Sequence, residues 1–229
     1  DRLFSTSSKN YGTNALATTA YDDGYTAGGM YYCNGTGGET RRNVTINNVI
    51  AGDKIVVYMA SSNAATGTLV FKYLGEDNEQ VEKASFTNKG TKYEFVAKYS
   101  GSYKVYTDAA AGKPIYNRIV RIPGVAVSGT IDGAQLSGYK VMFKDEANGI
   151  TYDADIKGNT FTATLAAGCN YTAVLSGVAG YGFSNATKNI STTVDEALTG
   201  KSGVTLSIEE KKVYTYTGKV TGFAADYDT

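Results

Sequence analysis

The stretch "YNRIVRIPGVAVSG", residues 116–129, decides how the chain is read: an apolar alternation ends at Ile122, Pro123-Gly124 interrupts it, and alternation restarts at Val125. Proline has no amide to donate and glycine no side chain to pack, so the pair punctuates a strand rather than extending it. It is read as a short linker dividing the chain into residues 1–122, residues 123–210 and a tail, 211–229. Working back from it, strands are expected at Met30 to Cys33, Arg42 to Asn48, Lys54 to Met59, Thr68 to Leu74, Lys92 to Ala97, Ser102 to Tyr106 and Ile115 to Ile122. Nearly all have period two and end at Gly, Asn, Asp or Ser. In the third of them Ile55, Val57 and Met59 share one face, which goes to the core, while Lys54, Val56 and Tyr58 share the other. Seven such strands without a helical stretch of comparable length imply a two-sheet sandwich, jelly-roll-like.

Working forward, Val125 to Ile131, Tyr139 to Phe143, Ile150 to Ile156, Thr160 to Leu165, Tyr171 to Leu175 and Val204 to Ile208 repeat the pattern on a smaller scale. "EANGI" (146–150) and "KGN" (157–159) supply hairpin turns, since Asn and Gly accept positive φ. About 85 residues in six or seven strands suit a small immunoglobulin-like or transthyretin-like sandwich. "TTVDEALTG" (192–200) is read as the one helical turn. The fold class is therefore all-β, with two consecutive sandwiches. "VAVSGTIDG" (125–133) and "TYTGKVTG" (215–222) break an alternating strand with Gly at matching places. Two readings of the tail stay open: the first strand of a further repeat, or a strand that pairs within the second sandwich.

Composition restricts the chemistry. The 229 residues contain no His, two Cys and no Trp, against 19 Tyr. Without His, Ser-His-Asp and Cys-His catalysis and His-bearing zinc sites are excluded. Net charge is zero, which argues against a nucleic-acid partner. Residues 1–123 carry 14 Lys and Arg against 11 Asp and Glu, and the remainder reverses that balance, so the front half favours an anionic partner. No apolar run approaches the roughly 18 residues of a membrane helix, and no signal-type segment opens the chain; a soluble, exported protein is expected. Adjacent acids such as Asp22-Asp23, Asp145-Glu146 and Glu209-Glu210 are read as solvated turns rather than as a catalytic carboxylate pair. "GGMYYCNGTGG" (28–38) lacks the Lys-Ser/Thr ending of a phosphate loop. Cys33 and Cys169 fall in different sandwiches and are read as free, buried thiols.

The informative feature is tyrosine beside cationic residues: Tyr11, Tyr21, Tyr25, Tyr31 and Tyr32 precede Arg41 and Arg42, and Tyr116-Asn117-Arg118 lies in the last strand before the linker. A tyrosine ring offers an apolar face to the C–H face of a sugar and a hydroxyl to its polar rim. Arginine adds a planar fork that grips a carboxylate in two places, as a uronic acid requires. The alternative for each tyrosine is ordinary core. Alternation places Arg41 with Asn43 and Thr45, toward solvent, and Arg42 with Val44 and Ile46, toward the core edge. In "YDDGYTAGG" (21–29), Asp22, Asp23 and backbone carbonyls are a candidate structural calcium site; a solvated turn is the other reading. No cofactor is required.

The stretch from residue 28 to residue 75, with its "AGDKIVVY" strand (51–58), then "GSYKVYT" (101–107) and "IYNRIVRI" (115–122), resembles the β-sandwich accessory modules of secreted bacterial pectin-degrading enzymes. The resemblance covers residues 21 to 122. It implies a non-catalytic carbohydrate-binding role toward pectic or other plant cell-wall glycans, with Arg41 or Arg42, Tyr116 and Arg118 as counterparts of the family's site. The absence of Trp departs from many carbohydrate-binding modules and argues against flat crystalline cellulose. "VSGTIDGAQLSGYKVMF" (127–143) and "GNTFTATLAAGCNYTAVLSG" (158–177) are similar to carboxypeptidase-regulatory-like or immunoglobulin-like repeats of extracellular bacterial proteins, which act as spacers. The expectation is thus a monomeric, extracellular or cell-surface binding module without its own catalysis, with Tyr31, Tyr32, Arg41, Arg42, Tyr116 and Arg118 at the ligand. The alternative is a structural or adhesive stalk without glycan binding.

Overall fold

A computed structural model describes residues 4–6, 20–28, 31–32, 37–61, 66–87, 89–108 and 114–211. Among the described residues, nine strands precede Pro123: β1 (Phe4–Thr6), β2 (Tyr31–Tyr32), β3 (Val44–Val49), β4 (Lys54–Ser61), β5 (Gly67–Tyr73), β6 (Val81–Phe86), β7 (Thr91–Val96), β8 (Gly101–Asp108) and β9 (Pro114–Ile122). They form two sheets, ordered β1-β3-β8-β5-β6 and β2-β9-β4-β7. From β2 to β9 the chain crosses repeatedly between the sheets, so the eight strands divide four and four in the manner of a jelly roll, with β1 added at one edge.

The core explains the alternation. Ile55, Val57 and Met59 point between the sheets and meet Ile46, Leu69, Phe71, Phe95 and Tyr103. Phe71 stacks between Phe95 and Tyr103 at centroid distances of 5.0 and 4.5 Å. The other face of β4 is also covered: Val56 and Tyr58 are buried with Tyr21 and Ala27, because residues 20–28 lie across the outside of the second sheet. Every residue of β4 is buried.

The remaining strands are β10 (Val125–Gly133), β11 (Lys140–Asp145), β12 (Ile150–Asp153), β13 (Asp155–Lys157), β14 (Thr160–Leu165), β15 (Asn170–Ser176), β16 (Tyr181–Phe183), β17 (Asn189–Ser191) and β18 (Lys201–Glu210). They form sheets ordered β13-β14-β10-β18-β16 and β12-β11-β15-β17 around a second core that includes Val127, Phe143, Phe161, Leu165 and Leu206. In an immunoglobulin sandwich the first two strands share a sheet; here β10 and β11 lie in different sheets, leaving the transthyretin-like alternative. The first and last strands, β10 and β18, pair in parallel, with a register shift between Val127 and Gly129. A Cβ on Gly129 would overlap the Val204 carbonyl, so the glycine in the opening strand is what lets β18 approach. The expected helical turn is α1 (Glu196–Thr199), entered through a reciprocal cap: the Thr193 amide donates to Glu196 and the Glu196 amide to the Thr193 hydroxyl. The tail, for which a further repeat and a strand within the second sandwich both stay open, lies from residue 212 to residue 229 outside the described residues.

Among the described residues no strand pair crosses Pro123-Gly124, yet the two sandwiches are in contact. Asp53, 1% exposed, accepts from the amide of Ile50 at 2.7 Å, from Nε of Arg121 at 2.6 Å and from the amide of Gly124 at 3.2 Å. One carboxylate thereby ties the β3–β4 turn, β9 and the linker together. A Cβ on Gly124 would come within 2.7 Å of the Thr164 methyl, so that glycine permits the close approach. Val96 of β7 belongs to the second core.

Candidate functional site

The loop "YDDGY" closes as a tight turn, with Gly24 at φ 84° and the amides of Gly24 and Tyr21 bonded to the carbonyls of Tyr21 and Tyr25 respectively. It lays two tyrosines against a third from β4. Tyr21 and Tyr25 stack at 5.6 Å, and the edge contacts Tyr21–Tyr58 and Tyr25–Tyr58 are 5.0 and 4.8 Å. The exposed guanidinium of Arg118 lies 5.0 Å from the Tyr25 centroid and 5.6 Å from that of Tyr58, a cation–π arrangement. Tyr21 donates to Oδ1 of Asn117 at 2.6 Å, and Tyr58 donates to Oδ2 of Asp23 at 2.7 Å. Burial raises the Tyr21 hydroxyl well above its ordinary pKa, as it does Tyr58, aided there by the Asp23 carboxylate. The Tyr58 hydroxyl and the Tyr25 amide hold Asp23 below the usual carboxylate range.

Tyr116 and Arg118 do not share this site. Strict alternation would put residues two apart on one face, but the β4–β9 register shifts between Tyr58↔Arg118 and Met59↔Tyr116, leaving Asn117 as a bulge. The phase reverses there: Arg118 faces out beside Tyr58, and Tyr116, 3% exposed, turns into the core. Tyr116 is therefore a core residue and presents no ring face to a ligand.

Arg41 is exposed, in an isolated bridge with Gly38, and Arg42 has φ 52°, the left-handed region. That conformation breaks strict alternation before β3 begins at Val44, and Asn43, expected on the solvent side with Arg41, is 4% exposed, yet Arg41 is exposed and Arg42 half-buried as expected. Neither arginine contacts the tyrosine cluster in the contacts that define it. The backbone places Tyr31 opposite Tyr116 and Tyr32 opposite Ile115; their side chains, Tyr11 and Cys33 lie outside the described residues. Asp22 is exposed and 3.7 Å from Lys89, while Asp23 is 3.7 Å from Lys92 and already accepts from Tyr58. Among the described residues no three acidic or cysteine side chains gather around a point that could hold a metal ion. Cys169 is a free thiol, half-buried, and burial raises its pKa despite the nearby charge of Lys54.

Tyr58, Asn117 and Lys92 belong to the cluster although no sequence motif singles them out. Tyr58 does carry a signal: with Val56 it is a large apolar residue on the face of β4 opposite the core row, which calls for a cover. From this cluster an ionic ladder follows the edge of the sheet. Lys92 is 3.0 Å from Glu94, and Glu94 is 3.1 Å from Lys54, which is 7% exposed. Burial works to raise the Glu94 pKa, but hydrogen bonds from Lys92 and Lys54 outweigh it and hold the carboxyl below its ordinary value.

Comparisons with known protein families and with curated proteins find no match to this chain.

Proposed function

We propose that the Tyr25–Arg118 platform binds a carboxylate-bearing polysaccharide. On this reading the chain is a non-catalytic module that, with its spacer sandwich, holds a larger secreted enzyme on pectic plant cell-wall glycan. The observation that carries the proposal is Arg118: exposed, positioned over two tyrosine rings, and with no carboxylate within ion-pair distance among the described residues. A guanidinium fixed by ring stacking keeps its fork available to a carboxylate in solvent. The half-buried Tyr25 supplies an apolar face beside it for the sugar ring. Binding would raise the local concentration of a linked catalytic unit without adding chemistry.

The test is electrophoretic retardation in gels containing polygalacturonate, rhamnogalacturonan, galactan, xylan or soluble β-glucan at two salt concentrations. Selective retardation by an acidic polymer is expected, weakened as the Debye length contracts to about 8 Å at physiological salt. Arg118→Ala and Tyr25→Ala should each abolish it. Unaltered retardation of Arg118→Ala, or affinity indifferent to salt, would remove the arginine from the argument. Absence of retardation by every polymer would transfer the chain to the stalk reading, to which the Asp53 carboxylate that fixes the linker against the first sandwich lends support.

A further inference from the structure

A cleft of about 710 Å³ opens where the two sandwiches meet, within the range of small-ligand sites, which favour domain junctions. Its wall is the Lys54–Glu94 pair of β4 and β7, and its floor is the outer face of the β11-β15-β17 sheet. The register sets Lys144, Thr172 and Asn189 abreast on that floor, with Asn170 opposite Ser191 in the next row. Adjacent strands lie about 4.8 Å apart and same-face neighbours along a strand about 7 Å apart, so the rows present a flat grid of amide and hydroxyl ends.

Asn148 completes the rim from the β11–β12 turn. The acidic pair Asp145-Glu146 predicts a solvated turn there, but Asp145 is 1% exposed. Its carboxylate accepts from the Asn148 backbone amide at 3.1 Å and from Nδ2 at 2.7 Å, which fixes the side-chain amide of Asn148 in place. Charged groups as deeply buried as Lys54 and Asp145 are uncommon in a mere surface groove.

The lining does not favour a polyanion. Lys54 is committed to Glu94, and Asp145 and Glu146 set two carboxylates against the remaining lining cation, Lys144. What the cleft offers is three neutral amides with hydroxyls between them: the Nδ2 of Asn148 is engaged by Asp145 and Cys169, which leaves its Oδ1 to accept, while Asn170 and Asn189 present Nδ2 donors. That is the complement of vicinal hydroxyl groups. We infer that the junction cleft is a second binding site, for a neutral, hydroxyl-rich oligosaccharide, distinct in chemistry from the Tyr25–Arg118 platform.

The experiment is a ¹H–¹⁵N chemical-shift titration of the whole chain with galacto-, xylo- and gluco-oligosaccharides to millimolar concentration. One of the three should produce saturable shifts at the amides of Asn148, Asn170, Thr172 and Asn189. Asn170→Ala and Asn189→Ala, both at exposed positions, should each weaken that binding by about tenfold. Unshifted resonances elsewhere would show that the variants keep their fold, and Arg118→Ala should leave the cleft affinity unchanged. Failure of all three to give saturable shifts, or shifts confined to the surroundings of Tyr25 and Arg118, would overturn the inference. Loss of polygalacturonate retardation would not, because that assay reads the other site.

Discussion

Replacing Asp53 with Ala should be the most damaging single polar substitution in the chain. The carboxylate is fully enclosed and accepts from three donors on three segments, while the Arg121 side chain beside it is only 19% exposed. Removing the anion leaves a guanidinium with little water to replace its partner, and breaking a buried pair in that way costs about 3 to 5 kcal/mol. The Ile50 amide can be rehydrated, since that residue is exposed, which argues for the lower part of the range. For a urea dependence of about 2 kcal/mol/M, the midpoint should fall by about 1.5 to 2.5 M. Urea unfolding followed by tyrosine fluorescence and circular dichroism reads this directly. Arg121→Ala in the Asp53→Ala background should add much less than it does alone, because the two share one interaction. A midpoint shift below about 0.5 M, or strictly additive effects, would refute the claim that this carboxylate ties the β3–β4 turn, β9 and the linker together.

Tyr116→Ala should cost about 3 to 5 kcal/mol, whereas Arg118→Ala should change stability by less than about 1 kcal/mol; thermal melts of the two variants separate the core residue from the surface one, and equal losses would deny the bulge at Asn117. Glu94 has a folded pKa below its unfolded value, so its contribution is present above about pH 4.3 and lost as pH falls through the depressed folded value. Glu94→Gln should flatten that limb of the stability–pH curve in acid urea titrations, and an unchanged limb would contradict the Lys92–Glu94–Lys54 ladder. Burial raises the hydroxyls of Tyr21, Tyr103, Tyr152 and Tyr171, so their contribution is intact below the unfolded value of about 10 and declines above it. In an ultraviolet alkaline titration these four of the 19 tyrosines should ionise only as the fold is lost; a smooth titration of all 19 before unfolding would count against the packing.

The long strands were legible because β4, β8, β10 and β14 each set a mostly apolar row of alternate residues into a core, although in β4 the other face is covered as well. Four edge strands, β1, β6, β16 and β17, were not legible. In β6 only Phe86 is buried, and β1, β16 and β17 have three residues each, too few for a period to appear. Of the tyrosines noted beside arginines, Tyr21 and Tyr25 gather at Arg118. What the pattern could not convey was phase. An extra residue at position 117 and left-handed backbone at Arg42 each reset the alternation, and both are backbone geometries that Asn and Arg do not announce. The cleft was equally invisible, since it joins β4 and β7 to strands nearly a hundred residues away.

The parallel pairing of β10 with β18 has a mechanical consequence. A pull applied between the linker at residue 124 and the chain beyond residue 210 draws on the start of the first strand and the end of the last. Because the strands run the same way, in register from Gly129↔Val204 to Gly133↔Ile208, the force acts along their length. All the rungs must then slide together rather than open in succession. A sandwich tethered in this sense resists stretching in shear.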